Sequence, residues 1–290
     1  MNHTFCAIAI IAGLLFANTL LAQENSTVDT TTAMKKKKGH TLTISNKGIR
    51  LETTDSAKKT QSGKVKTEDK EKQGRFSSEV ALMDLGINLI RDNTNYTDPS
   101  VKSYLNVPAA MQNKSLFDLR AAKSIDVNIY PWMLKYCALK THGQKIYIST
   151  GIGFQLYNFR YDEPITYIKN PAGIILDTIS FKKDKLALDY LNVPLMFTFK
   201  TRLGKSQWLV YGAGITEGYL IGSLNKEVSD ERGKVKYRGS FGLADFNTCI
   251  NAEIGIEGVI RFFASYQLTS LYSNGLDQHP IAFGFRLSGI

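Results

Sequence analysis

The chain has 290 residues, a formal net charge of +10 and a mean hydropathy of −0.17. Beyond an apolar run near the amino terminus, no stretch approaches about 18 consecutive apolar residues, which argues against a transmembrane helix. Only two of the three cysteines, Cys137 and Cys249, lie outside the amino-terminal segment, and they are far apart in the predicted strands. We therefore expect free thiols rather than a disulfide framework.

Residues 1–22 predict a secretory signal peptide. An apolar run from Ala7 to Phe16 is followed by a small residue, Ala22, directly before Gln23. Because a run of about ten apolar residues is too short to span a bilayer, we expect export and cleavage after Ala22 rather than a membrane anchor.

Residues 23–78 are basic and of low complexity, and they predict a disordered periplasmic tether. The densest part is a run of four lysines, Lys35, Lys36, Lys37 and Lys38. Such a segment is either a solvated linker or a contact for anionic lipid or another acidic surface. Nucleic acid is not an expected partner of an exported protein, although the charge alone would permit it. Residues 40–45 and 49–53 flank a turn and predict one small hairpin inside the tether.

Residues 79–290 predict an eight-stranded antiparallel transmembrane β-barrel. Eight stretches alternate apolar and polar residues with period 2, and the links between them run long, short, long, short, long, short, medium. In the third stretch, Ile148, Ile152 and Phe154 would face lipid, whereas Gly151 and Gln155 would face a narrow lumen. Long loops at one end, tight turns at the other and an even strand number are typical of outer-membrane barrels.

The link lengths also predict the orientation of the barrel. Residues 200–207 and 257–259 would be periplasmic turns, with 135–144 as a longer third turn. Residues 91–118, 162–180, 222–244 and 271–279 would then lie outside the cell, and both termini would be periplasmic. Pro131 and Pro194 interrupt predicted strands, and each is expected to mark a bulge or a strand end because proline cannot donate to a ladder.

Charged residues at inward positions predict a polar cluster in the lumen. Its predicted members are Asp84, Asp126, Glu217, Glu253, Glu257, Arg261 and Arg286. Eight strands leave room only for side chains, so these charges must pair with one another or with water. A packed polar plug is the favoured interpretation, and a catalytic site or an ion path is the alternative.

Catalytic patterns are weak, and we expect no enzyme, no cofactor and no metal site. The only histidine on the outer side is His279, with Asp277 and Ser273 nearby, next to an Asn274-Gly275 turn. Turn chemistry explains such a set more readily than a catalytic triad does. No metal-ligand spacing is present in the sequence.

Four segments resemble a known family. They are Asp84-Leu85-Gly86-Ile87-Asn88, Ser124-Ile125-Asp126-Val127-Asn128, the stretch from Thr150 to Tyr161, and Tyr190-Leu191-Asn192-Val193-Pro194-Leu195. Residues 79–290 resemble the outer-membrane β-barrel proteins of Bacteroidota that are described as PorT-like. The resemblance implies a barrel wall, and it implies an accessory role in protein secretion as one possible function.

These observations lead to three functional hypotheses for a monomeric protein of the cell outer membrane. The first is a structural or interaction role with a plugged lumen, in contact with outer-membrane lipid and lipopolysaccharide. The second is the PorT-like accessory role in secretion, with secretion-machinery or cell-wall partners reached through the tether. The third is a lipid-modifying barrel enzyme centred on His279.

Overall fold

The computed structural model describes residues 39–45, 48–54 and 75–287. Strands β1 (Gly39–Ser45) and β2 (Gly48–Thr54) form a two-stranded sheet, which confirms the hairpin predicted within the basic segment. The predicted signal peptide and the lysine run from Lys35 to Lys38 lie outside the described residues. Among the described residues, no helix has both the length and the apolar character needed to cross a membrane.

Eight antiparallel strands close into a ring, as the sequence predicts. They are β3 (Phe76–Asp92), β5 (Ile125–Lys140), β6 (Gln144–Arg160), β9 (Lys183–Arg202), β10 (Trp208–Ser229), β12 (Phe246–Ile256), β13 (Ile260–Gln267) and β14 (Gln278–Leu287). Each strand pairs with the next in the ring, and β14 returns to pair with β3, so the ring has no open edge. The remaining elements belong to the long connections: α1 (Pro99–Tyr104), β4 (Leu105–Asn106), β7 (Ile165–Lys169), β8 (Ala172–Leu176) and β11 (Gly233–Arg238).

The outer wall of the ring carries a belt of exposed apolar side chains, hereafter the apolar belt. Its members include Leu85, Ile129, Ile152, Phe154, Leu191, Phe197, Ile215, Ile250, Ile254, Phe262, Phe283 and Phe285. The neighbouring residues along each strand point inward, where buried polar side chains such as Asn128, Gln155 and Asn192 are found. An apolar outside around a polar inside is stable only where lipid surrounds the wall.

The two prolines behave differently. At Pro131 the register between β5 and β6 shifts between Ile129 and Trp132, which is the bulge that the sequence predicts. At Pro194 no bulge or strand end occurs, so that expectation is wrong for this residue. The register between β6 and β9 is the same on either side of Pro194, which remains paired with Thr216 on β10. The strand tolerates the missing N–H because the ladder toward β6 is interrupted at Pro194.

Above the apolar belt, the strands continue with inverted polarity. On β9, Leu186, Leu188 and Tyr190 point inward and are buried, whereas Lys185 and Asp189 point outward. Strand β10 likewise extends to Ser229 and returns as β11. The link predicted over residues 222–244 is therefore largely strand, because β10 continues to Ser229 and β11 covers Gly233–Arg238. We call this upper part of the wall the extension.

The four long connections fold together into a cap over the extension. They comprise residues 93–124, 161–182, 230–245 and 268–277, and each contributes to one apolar cluster. The buried members that these connections contribute include Tyr104, Leu116, Phe117, Tyr161, Tyr167, Ile174, Phe241, Leu243, Leu271, Tyr272 and Leu276. A three-stranded sheet of β4, β8 and β7 lies within the cap. The expected outer loops are thus a packed structure.

Candidate functional site

The lumen is crossed by a buried ion-pair network built on Arg286. Arg286 and Asp84 are cross-strand partners on β14 and β3, and the guanidinium donates to both carboxylate oxygens, Nε to Oδ1 and Nη2 to Oδ2, each at 2.7 Å. Its Nη1 also donates to Glu253 Oε2 at 2.9 Å. Two parallel bonds of this kind are strong and directional because both partners are ionised.

The network continues with alternating charge toward the end of the barrel that has the short turns. Arg261 Nη1 lies 3.4 Å from Glu253 Oε2, and Arg261 Nη2 lies 3.7 Å from Glu79 Oε1. Glu79 in turn pairs with Lys135. The lumen network is therefore a chain of three acids and three bases: Asp84, Arg286, Glu253, Arg261, Glu79 and Lys135. This balance lets charges persist away from bulk water, where an unpaired one would be costly.

Two further predicted members of the cluster are placed apart from this network. Asp126 is fully buried in the lumen and accepts a hydrogen bond from Asn128 Nδ2 at 2.6 Å, without a salt bridge to Arg286. Glu257 lies in the short turn between β12 and β13 and pairs with Lys200. The network thus unites Asp84, Glu253, Arg261 and Arg286 from the predicted set.

The predicted inward position of Glu217 is wrong. On β10 the even-numbered neighbours Thr216 and Gly218 are buried inside, so Glu217 lies on the outer face. There it is the cross-strand partner of Thr248, whose hydroxyl donates to Glu217 Oε2 at 3.0 Å. A carboxylate is expected to avoid the lipid side, but the alternation of its strand decides its direction instead.

The histidine set does not assemble as a catalytic triad. His279 Nε2 lies 2.8 Å from Asp277 Oδ1, but its Nδ1 lies 3.0 Å from the carbonyl oxygen of Gln267. Both ring nitrogens therefore face oxygen acceptors. The Ser273 hydroxyl donates to the carbonyl oxygen of Gly242 at 3.0 Å. His279 also stacks on Tyr266, which suits a residue at the edge of the apolar belt.

Two buried acidic side chains fasten the cap to the extension. The Ile165 N–H donates to Asp184 Oδ2 at 2.9 Å, and Asn225 Nδ2 donates to Asp184 Oδ1 at 3.2 Å. The Thr166 hydroxyl donates to Glu227 Oε1 at 2.7 Å. Burial, followed by the charge of Glu227, raises the pKa of Asp184 to about 8. These wall residues thereby hold the free edge of β7 in place.

A groove of about 500 Å³ opens beside this junction, between the β7–β8 hairpin and the β10–β11 hairpin. Tyr167 and Tyr237 line it together with the ion pair of Asp177 and Arg232, whose Nη2 donates to Asp177 Oδ1 at 3.2 Å. Sequence patterns do not reveal this groove. Its residues come from two connections that only the folded cap brings together.

A closed ring of eight antiparallel strands, a polar interior and an apolar belt define an outer-membrane β-barrel, which places the chain in the outer membrane. Among solved structures, the chain is similar to Ail, the attachment invasion locus protein of Yersinia pestis, at 9% identity and a TM-score of 0.26. The match covers 72% of this chain and 98% of that chain. The same protein in complex with the heparin analogue sucrose octasulfate gives the same values.

No family model matches the chain, and no curated protein matches it. At 9% identity and this TM-score, the likeness to Ail says nothing about activity or partners. The fold assignment rests on the strand pairing and the wall polarity of the chain itself.

Proposed function

We propose that this chain is a non-catalytic, monomeric outer-membrane protein whose closed barrel presents the folded cap to the outside as an interaction surface. The observation that carries the proposal is double closure of the barrel. The charge-balanced lumen network fills the lower part, and the cap cluster fills the mouth. A barrel whose lumen and mouth are both filled is suited to presenting the cap at the membrane surface rather than to conducting solutes.

Planar lipid bilayers test this proposal directly. The full-length protein, inserted into a bilayer and compared with a porin inserted under the same conditions, should give no stable single-channel steps. Heat-modifiable migration on a gel verifies that the inserted protein is folded. Large, reproducible steps from the folded protein would exclude the closed-barrel function.

An accessory role in protein secretion is the second candidate. Its support is the sequence resemblance of residues 84–88, 124–128 and 190–195 to PorT-like barrels of Bacteroidota. In that role, the basic segment after the signal peptide would contact secretion-machinery or cell-wall partners in the periplasm. A deletion strain should then fail to release cargo proteins into the medium, and normal release would remove this candidate.

A lipid-modifying enzyme is the third and weakest candidate. It would need His279 to activate a nucleophile, yet both of its ring nitrogens contact other oxygens. If His279→Ala leaves the lipid A profile of the producing strain unchanged, this candidate is excluded.

A further inference from the structure

Four basic residues lie side by side on the outer face of the extension. Arg160 on β6 is the cross-strand partner of Lys185 on β9, and Lys185 is the partner of Lys226 on β10. Lys226 is in turn the partner of Lys236 on β11. Because adjacent strands are about 4.8 Å apart, the row spans roughly 15 Å. We call these four residues the basic row.

Three neighbours strengthen the positive charge of this face. Lys183, Lys234 and Arg238 lie two positions along from the basic row on β9 and β11, so they project on the same side. Above the apolar belt, Asp189 is the only acidic residue that faces outward on these four strands, among the residues that the structure describes. The face is therefore strongly basic.

Such an arrangement of like charges destabilises the fold. Like charges directly opposite on neighbouring strands repel each other, and the basic row contains three such pairs in succession. The pKa of Lys226 is lowered, chiefly by the charge of Lys183 and further by those of Lys234, Lys236 and Arg160. A solvated wall would gain stability from mixed charges, so the row is better explained by an anionic partner that neutralises it.

The height of the row identifies the partner. Leu191 is the last exposed apolar residue of the belt on β9, and Lys185 lies six residues above it. At about 3.3 Å per residue and a strand tilt near 40°, that separation is roughly 15 Å along the membrane normal. Phospholipid head groups extend only about 5–8 Å beyond the hydrocarbon. The partner must therefore carry its anionic groups further out.

We propose that the basic row binds the phosphate groups of lipopolysaccharide molecules that stand beside the barrel in the outer leaflet. Lipopolysaccharide combines acyl chains, which pack against the apolar belt, with a phosphorylated saccharide that reaches above it. The same wall thus contacts one ligand at two heights. This inference rests on the outer-membrane placement in the proposed function, and it goes further by naming the phosphate groups as the recognised part of lipopolysaccharide and the four residues that contact them.

A pair of triple variants tests the proposal in the full-length protein in neutral detergent micelles. The row variant is Lys185→Gln, Lys226→Gln and Lys236→Gln. The matched control is Lys102→Gln, Lys114→Gln and Lys205→Gln, which removes the same charge from exposed positions outside the basic row. The probe is fluorescent core-bearing lipopolysaccharide, and heat-modifiable migration confirms that every variant is folded.

We expect the row variant to bind lipopolysaccharide roughly 100-fold more weakly, since each basic side chain at an anionic surface is worth about a fivefold change in affinity. The control should change by less than about threefold, because its charges lie outside the basic row and salt screens exposed charges over about 8–10 Å. Chemically dephosphorylated lipopolysaccharide should bind the wild type and the row variant alike.

Several results would overturn the proposal. Equal weakening by both triple variants would make the effect one of net charge. Undiminished binding of the dephosphorylated probe would exclude phosphate as the recognised group. Tighter, row-dependent binding of heparin would assign the surface to a soluble polyanion instead. Single-channel conduction would refute the closed barrel without altering this titration, so the two proposals fail separately.

Discussion

Arg286 holds two buried carboxylates at once, and its removal should be far more costly than that of an exposed arginine. Arg286→Leu leaves Asp84 and Glu253 in the lumen without their main counter-charge. Breaking a buried pair in this way costs about 3–5 kcal/mol. The free energy of unfolding, measured by urea titration of the protein in lipid vesicles, should fall by that amount.

The matched control is Arg120→Leu. Arg120 pairs with Asp162 at 2.8 Å, but the two side chains are 33% and 52% exposed. Exposed pairs contribute about 0–1 kcal/mol, so this variant should unfold nearly like the wild type. Equal losses in the two variants would show that the lumen network does not stabilise the barrel beyond an ordinary surface pair.

Asp184 should make cap stability depend on pH. Its pKa is about 8 in the folded cap, against an ordinary value of 3.8, so the folded state binds more protons between those values. Stability contributed by the protonated carboxyl is therefore lost as the pH rises from about 4 to about 8, by at most ~1.4 kcal/mol per pH unit. The pKa of Glu227 is also raised by its burial, which adds a trend of the same sign.

Limited proteolysis of the cap between pH 5 and pH 9 measures this effect. The wild type should become more susceptible as the pH rises toward 8, whereas Asp184→Asn should show a flatter dependence. The asparagine side chain cannot ionise and keeps one oxygen for the Ile165 N–H, so the variant isolates the titration. Parallel pH profiles for the two proteins would remove Asp184 as the cause.

The alternation of side chains along the strands decides which predictions of inward residues are correct. It predicts inward positions for Asp84, Glu253 and Arg286, and the structure buries all three. The inward prediction for Glu217 follows from its charge, against the alternation of its own strand, and that residue lies outside. The partners within the lumen network could not be predicted, because they depend on the register with which β14 pairs with β3 and on contacts across the lumen such as that of Arg286 with Glu253.

At the level of elements, the number of barrel strands followed from the sequence but their lengths did not. The prediction relies on apolar residues outside and polar residues inside. Above the membrane that relation inverts, as Leu186 and Leu188 inside and Lys185 outside show on β9. The period of 2 continues through the inversion, so a search for one polarity ends the strand too early. Where a strand passes from lipid into water, its outer face becomes polar and its inner face apolar, but side chains still alternate between the two faces.

Glycines on the inner wall set how closely β14 can approach β3. Gly284 and Gly86 are cross-strand partners, and a Cβ on Gly284 would lie 2.2 Å from the Leu85 carbonyl oxygen and 2.4 Å from the Gly86 Cα. Backbone atoms cannot move aside without breaking the ladder that closes the ring. Gly284→Val should therefore destabilise the closed barrel by more than about 3 kcal/mol.

The closure of the ring can be measured by heat-modifiable migration on a gel after refolding. Gly284→Val should lose most of the compact, fast-migrating form. Gly143→Val is the control, because a Cβ on Gly143 in the β5–β6 turn meets no atom within 4 Å. That substitution should change stability by no more than about 0.5 kcal/mol. A compact form of normal abundance for Gly284→Val would contradict the steric account.

At the level of the whole molecule, the cap was beyond prediction from the sequence. Its cluster draws on four connections that are separated by whole strands, and none of them shows a strong pattern of its own. Tyr104, for example, donates to the carbonyl oxygen of Phe241, which lies 137 positions along the chain. Contacts of such separation become visible only once the barrel has brought the ends of the connections together.

Because the four connections of the cap share one apolar cluster, a substitution at one buried residue should destabilise all of them. Tyr167 is fully buried, and its hydroxyl lies 2.9 Å from that of Tyr161 and 2.7 Å from that of Tyr272. Its ring packs 5.5 Å from that of Phe241. Removing a large buried aromatic ring costs about 3–5 kcal/mol, so Tyr167→Ala should destabilise residues 93–124, 230–245 and 268–277 together with its own connection.

Protease treatment of whole cells, with mass spectrometry to map the cuts, distinguishes a shared core from separate loops. In the wild type, the cap connections should resist cleavage despite their length. In Tyr167→Ala, cuts should appear in at least two connections other than 161–182, while Tyr219→Ala, which alters an outward ring that is 49% exposed, should leave the map unchanged. Cuts confined to 161–182 would mean that the connections are stable independently. The cap would then be four adjoining loops rather than one folded unit resting on the barrel.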